Sequence, residues 1–314
     1  MAPYKKFNKF TSVTKKVEPP KKPKIGSEPK AAFNWFPGHM LKAMREIKSK
    51  LAMVDLVIEI RDARVPIVSG NKTLAGAISG KGHLIVLNKV NLADPVMVEK
   101  WEDWFKLQGG PYLFINCFDK ASLKHVLTSA RRIIEKKRLA CNPEGIEQKK
   151  KFRFMVVGLP NTGKSTFINQ LANRQATKTA DKPGETRVQL WVTVDEDLEL
   201  LDTPGVMPAE LAVEEHRLWL SAINAIPDEI IGEEDPACYL IKYFLKHKSS
   251  AFKERYKLDS FEHTVDEVLS KVAATRGALK QKGLPDLNRV YKIILMDFRA
   301  GELGPACFGP PPSV

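Results

Sequence analysis

The 314-residue chain has few cysteines and no long apolar run, and each absence excludes a class of protein. Its four cysteines, at positions 117, 141, 238 and 307, have no paired spacing. Neither a disulfide framework nor a cysteine-based zinc site is therefore predicted. No apolar stretch approaches the ~18 residues that a membrane-spanning helix needs, so we expect no membrane partner.

Acidic residues are scarce near the N-terminus, where the first 50 positions hold 12 lysines and 1 arginine against 3 glutamates. Much of the net charge of +13 therefore lies in this stretch. Residues 1–32 combine lysine and proline with few apolar anchors, a composition typical of a disordered arm. Such an arm can neutralise RNA phosphates, and a solubilising tail is the alternative.

The first chemical motif is a complete phosphate-binding loop, which runs from Gly158 to Ser165 with the sequence GLPNTGKS. A strand-like run precedes it and a helix-like run follows, the context that such a loop requires. Its glycines let backbone N–H groups face phosphate oxygens. Lys164 is predicted to reach the β- and γ-phosphates, and the Ser165 hydroxyl to bind Mg²⁺. The predicted nucleotide contacts here are Pro160, Asn161, Thr162, Gly163, Lys164, Ser165 and Thr166.

Two shorter motifs downstream predict the switches of a nucleotide triphosphatase. An apolar run ends in Asp202-Thr203-Pro204-Gly205, where the Asp202 carboxylate can hold Mg²⁺ through water and the Gly205 N–H can meet the γ-phosphate. Upstream of it, Thr186 in the stretch PGETR is the natural second hydroxyl for Mg²⁺ and the γ-phosphate. Either motif alone can equally be an ordinary turn. Together with the phosphate loop they predict switch II and switch I.

The base-reading motif of a guanine-nucleotide domain stands before the phosphate loop instead of after it. The tetrad Asn88-Lys89-Val90-Asn91 follows a short apolar strand, as a base-binding loop does at the carboxyl end of a parallel strand. Asn116 and Cys117, after a later strand, are weaker candidates for the second base loop. This motif order predicts a circularly permuted GTPase with GTP as substrate.

Asn91 occupies the position where this motif usually has aspartate. An aspartate carboxylate accepts from both the N1–H and the 2-amino group of guanine. An asparagine side chain offers one acceptor and one donor, so its amide group would face the 2-amino donor. We expect weakened or relaxed guanine selection, at a cost of about 1–3 kcal/mol for an unpaired buried polar group.

The order of strand-like and helix-like runs predicts an α/β fold with a doubly wound, mostly parallel sheet and a small all-α C-terminal domain. The predicted strands are 55–60, 83–87, 112–115, 152–157, 189–194 and 199–201, and the predicted C-terminal helices are 237–246, 264–274 and 288–298. We divide the chain into a basic arm (1–32), a permuted GTPase domain (33–215), a helical RNA- or ribosome-binding domain (216–304) and a tail (305–314).

Further motifs complete a resemblance to a known family. The stretches WFPGHM from Trp35, DARVP from Asp62, KERY from Lys253 and Arg276-Gly277, with the permuted motif order, resemble the ribosome biogenesis GTPase A family of circularly permuted GTPases. The resemblance covers roughly residues 33–304, and the mitochondrial ribosome-associated GTPase is the eukaryotic relative. It implies a late assembly factor that binds the large ribosomal subunit and its rRNA, with GTP hydrolysis stimulated there and coupled to release. We further expect a monomer that does not bind DNA.

The catalytic candidates are His39, Thr186 and Lys164. Many GTPases orient the attacking water with a glutamine after the switch II glycine, but Val206 stands there and cannot bind water. The resemblance implies this role for His39, whose imidazole can polarise a water; a docking clasp built from its apolar neighbours is the alternative. Val206 and Asn91 together also favour a second function, a nucleotide-binding rRNA scaffold with poor hydrolysis.

Two further expectations depend on the resemblance. It implies a bound K⁺ beside Asn161, although asparagine also simply suits a turn. A mitochondrial location is the alternative to a bacterial cytoplasmic one, since the N-terminus is poor in acidic residues. The first 44 residues lack arginine, however, and the prolines at 19, 20 and 23 would break a targeting helix. We therefore expect the bacterial cytoplasm.

Overall fold

The computed structural model describes residues 38–78, 80–141, 151–176, 191–203, 205–207, 211 and 213–313. At residues 38–41, 72, 141 and 173–176 the description covers the backbone alone. The N-terminal arm, the linker around position 145 and the predicted switch I with Thr186 lie outside the described residues.

A six-stranded sheet forms the centre of the described chain. Its strands are β1 (Leu56–Asp62), β2 (Gly82–Asn88), β3 (Tyr112–Phe114), β4 (Phe152–Gly158), β5 (Trp191–Asp195) and β6 (Leu198–Asp202). They lie in the order β3-β2-β1-β4-β6-β5. Neighbouring strands run parallel except for β5, which pairs antiparallel with β6 at one edge. The predicted mixed α/β fold with a mostly parallel sheet is confirmed.

Helices cover both faces of this sheet, which explains why its central strands are apolar on both sides. The helices are α1 (Gly38–Lys50), α2 (Lys72–Ala77), α3 (Pro95–Gln108), α4 (Lys120–Cys141) and α5 (Lys164–Ala176). On one face Ile58 packs in a core with α4 and α5, and on the other the neighbouring Val57 packs in a core with α1 and α2. A third cluster joins α3 to the β2–β3 edge.

The C-terminal region is helical, as predicted. Its helices are α6 (Glu214–Ala222), α7 (Asp228–Ile231), α8 (Glu234–Lys246), α9 (Ser250–Arg255), α10 (Val265–Arg276) and α11 (Leu287–Ala300). Helix α8 begins three residues before the predicted start because Pro236 lies in its first turn, where no N–H is needed. Helix α10 has a capping box between Thr264 and Glu267, and Gly277 ends it at φ 64°.

The helical region shares its core with the sheet region. Leu240, Ile241 and Phe244 form a buried apolar stripe on α8, and Leu159 of the phosphate loop belongs to the same cluster. Beyond α11 the chain returns to the sheet region, where the Phe308 N–H donates to the Arg64 carbonyl oxygen at 2.8 Å. The end of α11 and the segment after it are thereby placed beside the base-reading motif.

Candidate functional site

The carboxyl ends of four neighbouring strands bring the sequence motifs together. Asp62 at the end of β1 pairs in register with Asn88 at the end of β2. On the other side of β1, Ile60 pairs with Gly158, where the phosphate loop begins. Asp202 ends β6, which is the next strand along. This edge of a parallel sheet is where α/β proteins bind ligands.

Two glycines shape the phosphate loop. Gly158 and Gly163 have φ values of 150° and 100°, which residues with a side chain rarely adopt. A Cβ on Gly158 would also overlap the Ile60 carbonyl oxygen, and one on Gly163 would overlap the Asn88 amide nitrogen. Asn161 adopts the left-handed region at φ 57°, which asparagine tolerates. The loop therefore depends on glycine at both ends and packs directly on the base-reading motif.

Lys164 begins α5 and is only 7% exposed. Its Nζ donates to the Leu159 carbonyl oxygen at 2.7 Å, so the side chain folds back over the loop. Burial lowers the pKa of Lys164 to about 8, against the opposing effect of the Asp202 charge. Burial raises the pKa of Asp202, and the Lys164 charge opposes that rise. Ser165, the next residue of the helix, is exposed at the loop.

The segment predicted as switch II, described here at residues 205–207, lies against the phosphate loop. A Cβ on Gly205 would lie 2.9 Å from the Pro160 nitrogen and 3.1 Å from the Lys164 Nζ. The Val206 N–H donates to the Gly158 carbonyl oxygen at 3.2 Å. The close approach leaves no room for a side chain at position 205. Any movement of residues 205–207 must therefore change their contacts with the phosphate loop.

Asn88 joins three loops. Its side chain is buried, its Nδ2 donates to the Thr162 carbonyl oxygen at 3.1 Å, and its Oδ1 accepts from the Cys117 N–H at 3.0 Å. Beside it, Lys89 adopts φ 63° and its Nζ donates to the Asn161 carbonyl oxygen at 2.7 Å. These bonds hold the first base loop, the second base loop and the phosphate loop in one arrangement.

A cavity of about 300 Å³ opens between these loops and the end of α11. Seven residues that the sequence predicted for nucleotide binding line it: Asn88, Lys89, Asn91, Asn116, Cys117, Gly163 and Thr166. Four residues that the sequence reasoning missed line it too: Leu92, Phe118, Arg299 and Ala300. The last two come from the far end of the chain, so no local pattern indicated them, whereas Phe118 directly follows a predicted pair.

Comparisons with known proteins agree with this geometry. A family model described as "50S ribosome-binding GTPase" matches residues 153–274. Ribosome biogenesis GTPase A of Priestia megaterium is 35% identical over 279 residues, which cover 89% of this chain and 97% of that protein. The chain belongs to the ribosome biogenesis GTPase A family. The resemblance found in the sequence is confirmed, and with it the expectation of a P-loop GTPase.

Relatives of this family outside the bacilli, and a solved structure, match as well. Mitochondrial ribosome-associated GTPase 1 of Bos taurus is 31% identical, with 86% of each chain covered. The crystal structure of GNP-bound YlqF from T. maritima superposes with a TM-score of 0.60 at 28% identity, and covers 87% of this chain and 100% of that one. The likeness therefore extends over the sheet region and the helical region together.

The DARVP motif, used above only for the family resemblance, has a structural role in this family member. Asp62 is fully buried and forms ion pairs with Arg64 at 2.9 Å and with the Lys89 Nζ at 3.1 Å. Burial alone would raise the pKa of Asp62, but the Arg64 and Lys89 charges hold it well below its usual range. The Arg64 guanidinium lies 4.8 Å from the ring centroid of Phe298 in α11. The motif thus connects the base loop to the helical region.

Three further residues, Asp94, Val206 and His39, bear on the base-reading and catalytic roles. Asp94, three residues after Asn91, caps α3 by accepting from the Met97 N–H at 3.0 Å, so it does not replace the missing base-loop aspartate. Val206 is 2% exposed and belongs to the same core cluster as Ala43 in α1. His39 lies at the start of α1, where the description covers the backbone alone.

The described helices also bear on membrane association. Of the helices within the described ranges, none has both the length and the apolar character needed to cross a membrane.

Proposed function

We propose that this chain is a GTPase that acts as a late assembly factor of the large ribosomal subunit, with GTP hydrolysis coupled to its release. One observation carries the nucleotide part: Asn88 and Lys89 bond the base loop to the phosphate loop around a single cavity. The names of the relatives support the ribosomal part. The lysine-rich N-terminus supports an RNA-bearing partner.

In this proposal the guanine base occupies the cavity, against Asn88, Lys89, Asn91 and the Asn116-Cys117 pair. The triphosphate then extends along the loop from Pro160 to Thr166, where the α5 N-terminus and Lys164 carry positive charge. The Lys164 Nζ must exchange its bond to the Leu159 carbonyl oxygen for the β- and γ-phosphates. Gly205 lies against Pro160 and Lys164, and we propose that its N–H donates to the γ-phosphate.

The donor set beside Lys164 fits Mg²⁺, which prefers hydroxyl and carboxylate oxygens. Ser165 is exposed at the loop, and among the described residues Asp202 forms no salt bridge that would compete for its carboxylate. The Thr186 hydroxyl would complete the set from switch I. Mg²⁺ bound there would neutralise negative charge on the phosphate oxygens. Asp202 must ionise to bind it, against the burial that raises its pKa.

We assign the water-orienting role to His39, because the residue after Gly205 cannot perform it. The Val206 side chain is buried in the core that α1 helps to form, and His39 is the second residue of that helix. We expect His39→Ala to abolish subunit-stimulated hydrolysis and to leave GTP affinity unchanged, whereas His125→Ala, on the exposed face of α4, should change neither. Lost affinity or undiminished turnover in the His39 variant would contradict this role.

A K⁺ site beside Asn161 is part of the same proposal. The Asn161 Nδ2 donates to the Asn224 carbonyl oxygen at 2.7 Å, and this bond sets the orientation of the side-chain amide. A bound K⁺ would offset phosphate charge, so turnover should be faster in K⁺ buffer than in Na⁺ buffer at equal ionic strength. Equal turnover in the two buffers would remove K⁺ from the account.

Release from the subunit is tested by co-sedimentation with purified large subunits. With a non-hydrolysable GTP analogue the chain should sediment with the subunit, and with GDP it should stay in solution. Equal binding in both states would refute coupling between hydrolysis and release. If no nucleotide is turned over while subunit binding persists, the hydrolysis-poor scaffold becomes the better function.

The remaining parts of the proposal concern location and assembly. Relatives from Priestia megaterium and Bacillus pumilus, at 35% and 36% identity, support the bacterial cytoplasm over mitochondria. We propose that the protein acts there as a monomer on rRNA and does not bind DNA. Light scattering of the free protein and of its complex with the subunit would test the monomer.

A further inference from the structure

Phe118 is the most exposed large apolar side chain in the described part of the chain, at 70% of its surface. It lies on the wall of the cavity described above, between the second base loop and the start of α4. Single exposed apolar residues are ordinary on protein surfaces. What distinguishes Phe118 is its position on the cavity between the two base loops.

The local backbone holds Phe118 in this place. The Asn116 Oδ1 accepts from the Phe118 N–H at 3.1 Å, and the Asp119 N–H donates to the Asn116 carbonyl oxygen at 2.9 Å. Cys117, one residue earlier, is buried and its N–H donates to Asn88. The turn therefore buries Cys117 and leaves the ring of Phe118 at the cavity instead of in the core.

Lys89 lines the same cavity, and two polar contacts fix its side chain. Its Nζ is fixed by the Asp62 carboxylate at 3.1 Å and the Asn161 carbonyl oxygen at 2.7 Å. The aliphatic part of a lysine can cover an apolar surface while its charge stays bonded. The cavity thus presents an aromatic ring and an aliphatic chain, the two kinds of surface that a flat aromatic ligand covers well.

We propose that Phe118 stacks on the purine base of the bound nucleotide and supplies binding energy that does not depend on which purine is bound. The proposal rests on the proposed function, since it places the base in this cavity. Stacking depends little on the identity of the base, because every base has a π-face. It would offset the hydrogen bond that Asn91 cannot make to guanine, so the site would hold 6-oxopurine nucleotides with less discrimination among them.

Equilibrium binding of GTP, ITP and inorganic triphosphate to the full chain and to Phe118→Ala tests the proposal. We expect GTP and ITP to bind about 5- to 150-fold more weakly to the variant. Inorganic triphosphate has no base, so its affinity should not change. Phe118→Tyr keeps an aromatic ring and should restore most of the binding. Leu107→Ala removes a side chain that is 69% exposed at the end of α3 and serves as the matched control.

The possible results distinguish failure of the stacking proposal from failure of the proposed GTPase function. If the wild-type chain binds GTP and Phe118→Ala binds it equally well, stacking by Phe118 is refuted and the proposed GTPase function is unaffected. Equal losses for GTP and inorganic triphosphate would also refute it, since they indicate a disturbed phosphate loop. If the wild-type chain binds neither GTP nor ITP, the proposed function itself fails. Thermal unfolding of each variant confirms that the fold is intact.

Discussion

The substitution Asn91→Asp should convert a weakly discriminating base site into a guanine-selective one. Asn91 lies in a 3₁₀ turn, Val90–Leu92, and its exposed side chain lines the cavity. The turn is held by its backbone, because the Leu92 N–H donates to the Lys89 carbonyl oxygen at 2.9 Å. Aspartate has the same shape as asparagine, so the exchange alters hydrogen-bonding character and charge while the turn remains.

The expected magnitude follows from the donors and acceptors that meet in the cavity. Guanine presents two donors, N1–H and the 2-amino group, to a side chain that in Asn91 has one acceptor. Restoring the second acceptor should strengthen GTP binding by about 1–3 kcal/mol, which corresponds to about 5- to 150-fold in Kd. ITP lacks the 2-amino group and should gain less. XTP has an oxygen there, which the Asn91 amide can donate to and an aspartate would repel, so its affinity should fall.

The assay is competitive binding of GTP, ITP and XTP to both proteins at one Mg²⁺ and salt concentration. The informative quantity is the ratio of GTP to ITP affinity, because differences in protein activity or loop stability cancel in it. A ratio that is the same in the two proteins would refute the placement of Asn91 against the 2-amino edge of the base.

Two further predictions concern buried charges at the site. Asp62→Ala leaves the buried Arg64 without its carboxylate and should lower the free energy of urea unfolding by about 3–5 kcal/mol. The control Asp103→Ala breaks only an exposed ion pair and should lower it by at most about 1 kcal/mol. Equal losses in the two variants would contradict the ion-pair interpretation. The pKa of Lys164 is about 8 in the free protein, and bound phosphates favour its charged form. GTP affinity should therefore fall as the pH rises above 8, by up to about tenfold per pH unit. Lys164→Ala should bind GTP weakly, and its affinity should not vary with pH in this range. A wild-type affinity that does not change above pH 8 would contradict this role of Lys164.

Local patterns in the sequence were sufficient for the framework of the site. The apolar runs before Asn88 and Gly158 predicted two strands of a parallel sheet, which the structure places on either side of β1. The glycine spacing predicted the phosphate loop. Both signals come from contiguous residues. The central strands carry apolar residues for both faces, which made their type clear. Their observed ends lie within two residues of the prediction, and the differences arise because hydrogen bonds at strand ends depend on neighbouring strands.

Contacts between distant parts of the chain could not be predicted in this way. Arg299 donates to the Ser221 carbonyl oxygen and to Asp228, and is thereby held at the cavity, yet no local pattern joins these positions. Likewise, the packing of Arg64 on Phe298 joins residues 234 positions apart. Phe308 is buried although its proline- and glycine-rich surroundings favour an exposed tail, because Trp219 and Phe298 form a pocket around it.

The most direct test of the account is multiple-turnover hydrolysis of GTP, with and without purified large ribosomal subunits, in K⁺ buffer with Mg²⁺. The account predicts slow turnover by the free protein, because the buried Val206 side chain cannot orient the water. It predicts turnover raised well above that level by the subunit. GTP binding without turnover in either condition would contradict it and would indicate a nucleotide-binding scaffold instead.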